Sequence, residues 1–153
     1  MISYELQTFI IAATPILELR GAIPIALFNY KLSVTSAFIF SVLGNIFPVI
    51  FILLFLEKVS LFLRKRSKFF DKFFDWLFAR TKKNHQSKYD KFKDLFLVVL
   101  VSIPLPLTGA WTGSLCAFLF GVPFKRAFSL ISLGVIIAGV IVTLISLGII
   151  TFI

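Results

Sequence analysis

The chain has 153 residues, of which 59% are hydrophobic and only 15% charged, with a mean hydropathy of +1.00. A soluble domain averages about 45–50% apolar and ~25% charged residues, so this composition excludes an ordinary globular domain. The formal charge of +9 does not point to nucleic acid, because twelve of the sixteen Lys and Arg lie between Lys58 and Lys93, in one segment flanked by apolar blocks.

The first block, residues 4–30, is apolar apart from a few polar groups and carries both Glu18 and Arg20. Glu5 stands where a basic leader would begin, and no small-residue cleavage site closes the apolar run, so this segment is expected to stay in the mature protein. Pro15, Gly21 and Pro24 interrupt it. In a regular helix Glu18 and Arg20 would point about 200° apart, so either each finds its own partner or the backbone is broken between the prolines. An ionised side chain at the centre of a membrane helix costs roughly 2.5–3.5 kcal/mol on insertion scales. Three readings follow. The pair lines a functional site, with Glu18 exchanging a proton or cation and Arg20 as counter-charge or anion clamp. Alternatively it is a structural ion pair that fixes a hairpin, or both groups sit shallowly among headgroups.

Residues 32–56 are expected to form a transmembrane helix, about 37 Å long at ~1.5 Å per residue, with Gly44, Asn45 and Pro48 near its middle to kink it. Residues 57–94 are the basic segment. Phe62, Phe69, Phe73 and Trp76 or Leu77 recur at helical spacing, with Arg64, Lys65, Lys68, Asp71, Lys72 and Asp75 on other faces. That pattern predicts an amphipathic helix at the cytoplasmic interface, its cations toward anionic headgroups, the alternative being a solvated cytoplasmic hairpin. His85 falls in a polar turn and reads as solvated.

Residues 95–121 are apolar but broken at Pro104, Pro106, Gly109 and Gly113, and Lys125 and Arg126 follow. A full crossing would put those two cations outside, against the positive-inside tendency, whereas a re-entrant hairpin keeps them inside. Thr108, Trp111, Thr112 and Ser114 supply uncharged donors and acceptors around the bend. A hydroxyl in a membrane helix often bonds only its own backbone. Residues 127–153 carry no charge and predict a second transmembrane helix. Cys116 reads as a small buried hydrophobe.

Pro15 through Arg20-Gly21-Ala22 is echoed by Pro104 through Thr108-Gly109-Ala110, and glycines follow each at Gly44 and Gly134. The predicted fold is therefore an all-α polytopic membrane protein, a single domain over residues 1–153. Two inverted repeats, each a re-entrant helical hairpin plus a transmembrane helix, flank the basic amphipathic segment. Such hairpin backbone needs shielding by protein, and two full spans shield little, so a homodimer is expected. The sequence holds no nucleotide-binding glycine loop, no metal-spaced His or Cys, and no Ser-His or paired-Asp arrangement at membrane depth. Neither an enzyme nor a cofactor or metal is expected.

The run Glu18-Leu19-Arg20-Gly21-Ala22-Ile23-Pro24, then Gly44-Asn45 with Pro48, then Pro104-Leu105-Pro106-Leu107-Thr108-Gly109-Ala110-Trp111-Thr112-Gly113, resembles the small multidrug export protein family. The resemblance covers nearly the whole chain, and that family looks distantly related to the DedA/VTT membrane proteins. Leu107 departs from the pattern, which usually has glycine there. The resemblance implies a multi-pass protein of the bacterial cytoplasmic membrane, its basic loop cytoplasmic and its two hairpins meeting near the midplane.

The expected site comprises Glu18, Arg20, Gly21, Asn45, Pro104, Pro106, Thr108, Gly109, Trp111 and Thr112. The expected activity is transport coupled to protons or a small ion, moving a lipid such as a polyprenyl phosphate or phospholipid, or a small amphipathic molecule. Alternatives are export of organic cations, which Arg20 disfavours, and a non-transporting membrane scaffold or accessory subunit.

Overall fold

A computed structural model describes residues 2–83 and 87–152 and is helical in all its regular elements. His85 lies outside the described residues, as does the Leu77 side chain. The first apolar block forms two short helices, α1 (Tyr4–Ala13) and α2 (Glu18–Phe28). The Ser3 hydroxyl caps α1, accepting the Leu6 N–H at 3.3 Å. That helix stops at Thr14, whose backbone is extended, because the residue before Pro15 is sterically driven out of the helical region. Each helix is only about 15–17 Å long. The pair folds back on itself, so that Tyr4 and Tyr30 stack with ring centroids 4.8 Å apart.

Helix α3 (Val34–Arg66) begins at a Ser33 cap and runs 33 residues without interruption, about 50 Å. One expectation changes here. Pro48 sits inside continuous helix, but the predicted membrane helix does not stop at residue 56 and carries on for nearly three more turns of basic sequence. Charge marks where hydrocarbon ends, and nothing in Lys58–Arg66 breaks a helix. Ser67, with extended backbone, breaks it and starts α4 (Lys68–Lys83). The predicted aromatic stripe is therefore split. Phe62 belongs to α3, and Phe69, Phe73 and Trp76 lie exposed on the strongly amphipathic α4. Arg64 holds α4 against the end of α3 by ion pairs to Asp71, at 3.0 Å, and to Asp75.

Helix α5 (Ser87–Ser102) takes the rest of the basic segment straight into the apolar block. The chain then bends through Pro104 and Pro106 and returns as α6 (Ala110–Leu119). Phe96 and Phe120 pack with centroids 5.8 Å apart, and Lys93 Nζ donates to the Phe120 carbonyl at 3.4 Å, so this block also folds back. Gly121, at φ +66°, makes the left-handed turn that ends α6, with the Val122 N–H reaching back to the Ala117 carbonyl at 3.0 Å. Helix α7 (Phe124–Phe152) completes the chain, and Arg126 pairs with Asp94 at the base of the second fold-back.

Helices α3 and α7 are each long and apolar enough to cross a membrane. They pack closely, and a Cβ on Gly139 would come within 2.9 Å of the Phe38 ring. The core is Leu19, Ile23, Val49, Leu97, Ile131 and Val135 with their neighbours. Large apolar side chains such as Phe47, Phe51 and Phe55 on α3 and Leu133, Ile136 and Leu144 on α7 cover the outside instead. An apolar exterior of this extent belongs in lipid.

Candidate functional site

The two fold-backs open toward opposite ends of α3. The α1–α2 pair opens near Ser33, where α3 starts, and the α5–α6 pair opens near Phe124, where α7 starts. Their bends meet between α3 and α7, at the level of Asn45 and Ala138. Asn45 is close to the middle of the apolar part of α3. Each bend breaks a helix there and strands backbone groups that an apolar surrounding cannot satisfy.

The second bend satisfies part of its own backbone. The Thr108 Oγ1 accepts the Leu105 N–H at 3.2 Å and lies 2.6 Å from the Ile103 carbonyl and 2.8 Å from that of Leu105. Its single hydrogen can serve one of the two carbonyls at a time. Thr112 donates to the Leu107 carbonyl at 2.9 Å and Ser114 to that of Ala110 at 2.7 Å. These hydroxyls are spent on neighbouring backbone. Leu107 adopts φ +69°, the left-handed region that costs an L-residue about 1–2 kcal/mol. Glycine takes that conformation freely, so the departure at Leu107 leaves strain in this bend.

What the second bend lacks comes from the first. Helix α6 starts at Gly109 with no side-chain cap. The Glu18 carboxylate occupies that place, its Oε1 accepting the Trp111 N–H at 3.4 Å with the Ala110 N–H beside it. Trp111 is the second residue of α6, the donor that an ordinary capping side chain would take. Gly109 makes room for this, since a Cβ there would fall on the carboxylate. Its φ of +120° and ψ of −163° lie in a region that is essentially glycine's alone.

Arg20 does the converse. Its Nη2 donates to the Ile16 carbonyl at 2.8 Å and its Nη1 to the Leu105 carbonyl across the gap. One bend therefore offers a carboxylate to the other's N–H groups and a guanidinium to its carbonyls. The two charges are not paired directly with each other. Glu18 achieves its reach through a left-handed backbone, φ +48°, while 95% of the residue is buried. Such strain in a non-glycine residue persists only where surroundings enforce it.

Of the other expected residues, Gly21 packs on the Leu17 side chain at the start of α2, away from the gap. Pro104 lines it, whereas Pro106 only shapes the bend. Asn45 lines it too, 1% exposed, and its Oδ1 has no hydrogen-bond partner, nor has Oγ of Ser41 one turn earlier. Leu19, Val101, Ile103, Leu105 and Ala138 also line it and were not anticipated, having no chemistry to flag them. The space enclosed is only about 10 Å³, roughly one water probe and far below a cargo. Among the described residues no group of three or more His, Cys, Asp or Glu gathers in a way that could hold a metal ion.

Comparison with known families matches residues 18–141 to the one described as "Putative small multi-drug export protein". The match begins at Glu18, just after the turn between α1 and α2, and takes in the second bend and much of α7. No curated protein and no solved structure matches the chain.

Proposed function

The chain belongs to the small multidrug export protein family, and from that premise we propose that it is a proton-coupled transporter gated where the two bends touch. Each folded-back pair is a re-entrant hairpin, the first from the outer face and the second from the cytoplasmic face, and each with its long helix forms one half of an inverted repeat. The concentration of Lys and Arg between Lys58 and Lys93, at the open end of the second hairpin, supports this orientation in a bacterial cytoplasmic membrane. The amphipathic α4, held by Arg64, then lies against anionic headgroups with Phe69, Phe73 and Trp76 toward lipid.

One observation carries the mechanism. Glu18 of one hairpin caps the helix of the other, so the charge on a single carboxyl governs the contact between the two halves. Ionised, Glu18 complements the positive N-terminal end of α6. Protonated, it loses that attraction and the tips separate. In the closed arrangement the gap is too small for any cargo, so passage requires that separation. The cargo is an amphiphile with an anionic group, a phospholipid or polyprenyl phosphate. Half-buried Arg20 lies beside the exposed apolar side chains Ile16 and Leu105, on the side facing lipid. Once its bond to Leu105 opens, its freed donors suit a phosphate.

The test is flux of fluorescent phospholipid between leaflets of proteoliposomes, measured against pH. Glu18→Gln is expected to abolish the flux and its pH dependence while leaving insertion and expression intact. Full, pH-dependent flux in that variant overturns the mechanism. Wild-type protein that moves neither lipid nor organic cations, yet co-purifies with another membrane protein, would make it a scaffold.

A further inference from the structure

A second feature lies well away from the bends. Between the end of α3 and the turn from α6 into α7 is a cavity of about 310 Å³, lined chiefly by Leu53, Glu57, Ser60, Phe118, Val122 and Phe124. This is the lower end of the size range for small-molecule sites, and its walls have the usual character, apolar with few polar groups. Glu57 is twelve residues past Asn45 on α3, so the cavity sits about 18 Å from the bends along the helix.

Glu57 is its single charged group, in the most basic part of the chain. Nearby acids are taken: Asp71 and Asp75 hold Arg64, and Asp94 holds Arg126. The Glu57 carboxylate has no such partner among the described residues. The Ser60 hydroxyl does not engage it either, being spent on the Glu57 backbone carbonyl at 2.8 Å. An acid left unpaired among so many cations, and facing a cavity, is available to a ligand. Two phenylalanines share the wall. Phe118 is braced edge-on against Phe74 with centroids 6.3 Å apart, and Phe124 stacks on Phe128 at 6.1 Å. A carboxylate together with aromatic faces is the set of groups that recognises an alkylated ammonium, by charge and by cation–π attraction.

We propose that this cavity binds an amphiphile bearing one ammonium group, its cationic head at Glu57 and the rings of Phe118 and Phe124, and its apolar body against Leu53 and Val122. Such a ligand can come as a lipophilic cation in the cytoplasm or as an amine-headed lipid of the inner leaflet. The site does not depend on Glu18 or on proton coupling.

The experiment uses ethidium, a lipophilic quaternary ammonium, with the full chain in dodecyl maltoside, followed by fluorescence polarisation. Saturable binding is expected. It should weaken about tenfold or more in Glu57→Gln and in Leu53→Trp, which fills the cavity, and stay unchanged in Glu5→Gln at the other end of the molecule. Competition by added phosphatidylethanolamine but not phosphatidylglycerol would identify the lipid headgroup as the source of the ammonium. Competition by neither would identify the soluble cation. Absence of saturable binding, or equal affinity in wild type and in both cavity variants, overturns the proposal. Because the readout is binding alone, a failed flux assay with Glu18→Gln leaves it standing.

Discussion

Gly109→Ala tests the contact between the bends most directly, because two separable penalties meet at one atom. The first is conformational. Gly109 holds φ +120° and ψ −163°, and forcing alanine into that region costs about 1–3 kcal/mol. The second is steric, since the new Cβ would occupy the position of the Glu18 carboxylate and push it off the start of α6. Losing a cap and its interaction with the helix dipole costs about 1–2 kcal/mol. The expected sum is roughly 2–5 kcal/mol, a large share of a total stability on the order of 5–15 kcal/mol. Unfolding in mixed dodecyl maltoside and dodecyl sulfate micelles, followed by Trp fluorescence, measures it. In a Glu18→Ala background the carboxylate is already gone, so the same substitution should cost only the conformational part. A coupling of about 1–2 kcal/mol between the two positions is therefore expected. Equal costs in both backgrounds, within ~0.5 kcal/mol, would refute the contact on which the site is built.

Leu107→Gly relieves a left-handed backbone at a side chain that is 87% exposed, and should stabilise the protein by about 0.5–1 kcal/mol in the same unfolding assay. A loss of stability would show that Leu107 packs against something important. Asn45→Leu replaces a buried amide whose oxygen has no partner with an apolar side chain of similar size. Stability should hold or rise by ~1 kcal/mol while flux in proteoliposomes falls. A strongly destabilised Asn45→Leu protein would instead make the amide structural.

Much of this fold is written in the sequence at low resolution. Two long uncharged runs mark α3 and α7, and prolines mark both bends, because proline restricts its own backbone and its predecessor's wherever it falls. Boundaries were harder where charge and helix disagree. Lys58–Arg66 reads as loop by composition but contains nothing that stops a helix, whereas Ser67 stops one with no strong local signal. The hydroxyls of Thr108, Thr112 and Ser114 look like site lining in one dimension. Their partners are carbonyls three to five residues earlier, brought within reach by the bend for Thr108 and Thr112 and by ordinary helix geometry for Ser114. The left-handed Glu18 was not legible at all, since that conformation favours glycine and asparagine and no residue type announces a glutamate held there against preference. One signal was available. Helix α6 opens on Gly109 with no acid in its first turn, so its cap had to come from elsewhere.

The two unexplained charges and the two broken helices account for each other. A break in a helix inside an apolar medium creates poles of both signs, stranded N–H groups on one side and stranded carbonyls on the other. A single charged side chain could meet only one of these and would itself remain uncompensated. Glu18 and Arg20, two residues apart and therefore aimed differently, meet both: the carboxylate goes to Trp111 and the guanidinium to Ile16 and Leu105. This is why the pair need not bond to itself, and why neither charge need sit among the headgroups. It also separates the two roles by their chemistry. The guanidinium keeps its donors throughout, so its bond to the Leu105 carbonyl opens only when the bends part. The grip on α6 depends on a carboxyl group that can take a proton. Of the two links that join the bends, only the one through Glu18 rests on a group that a proton can neutralise.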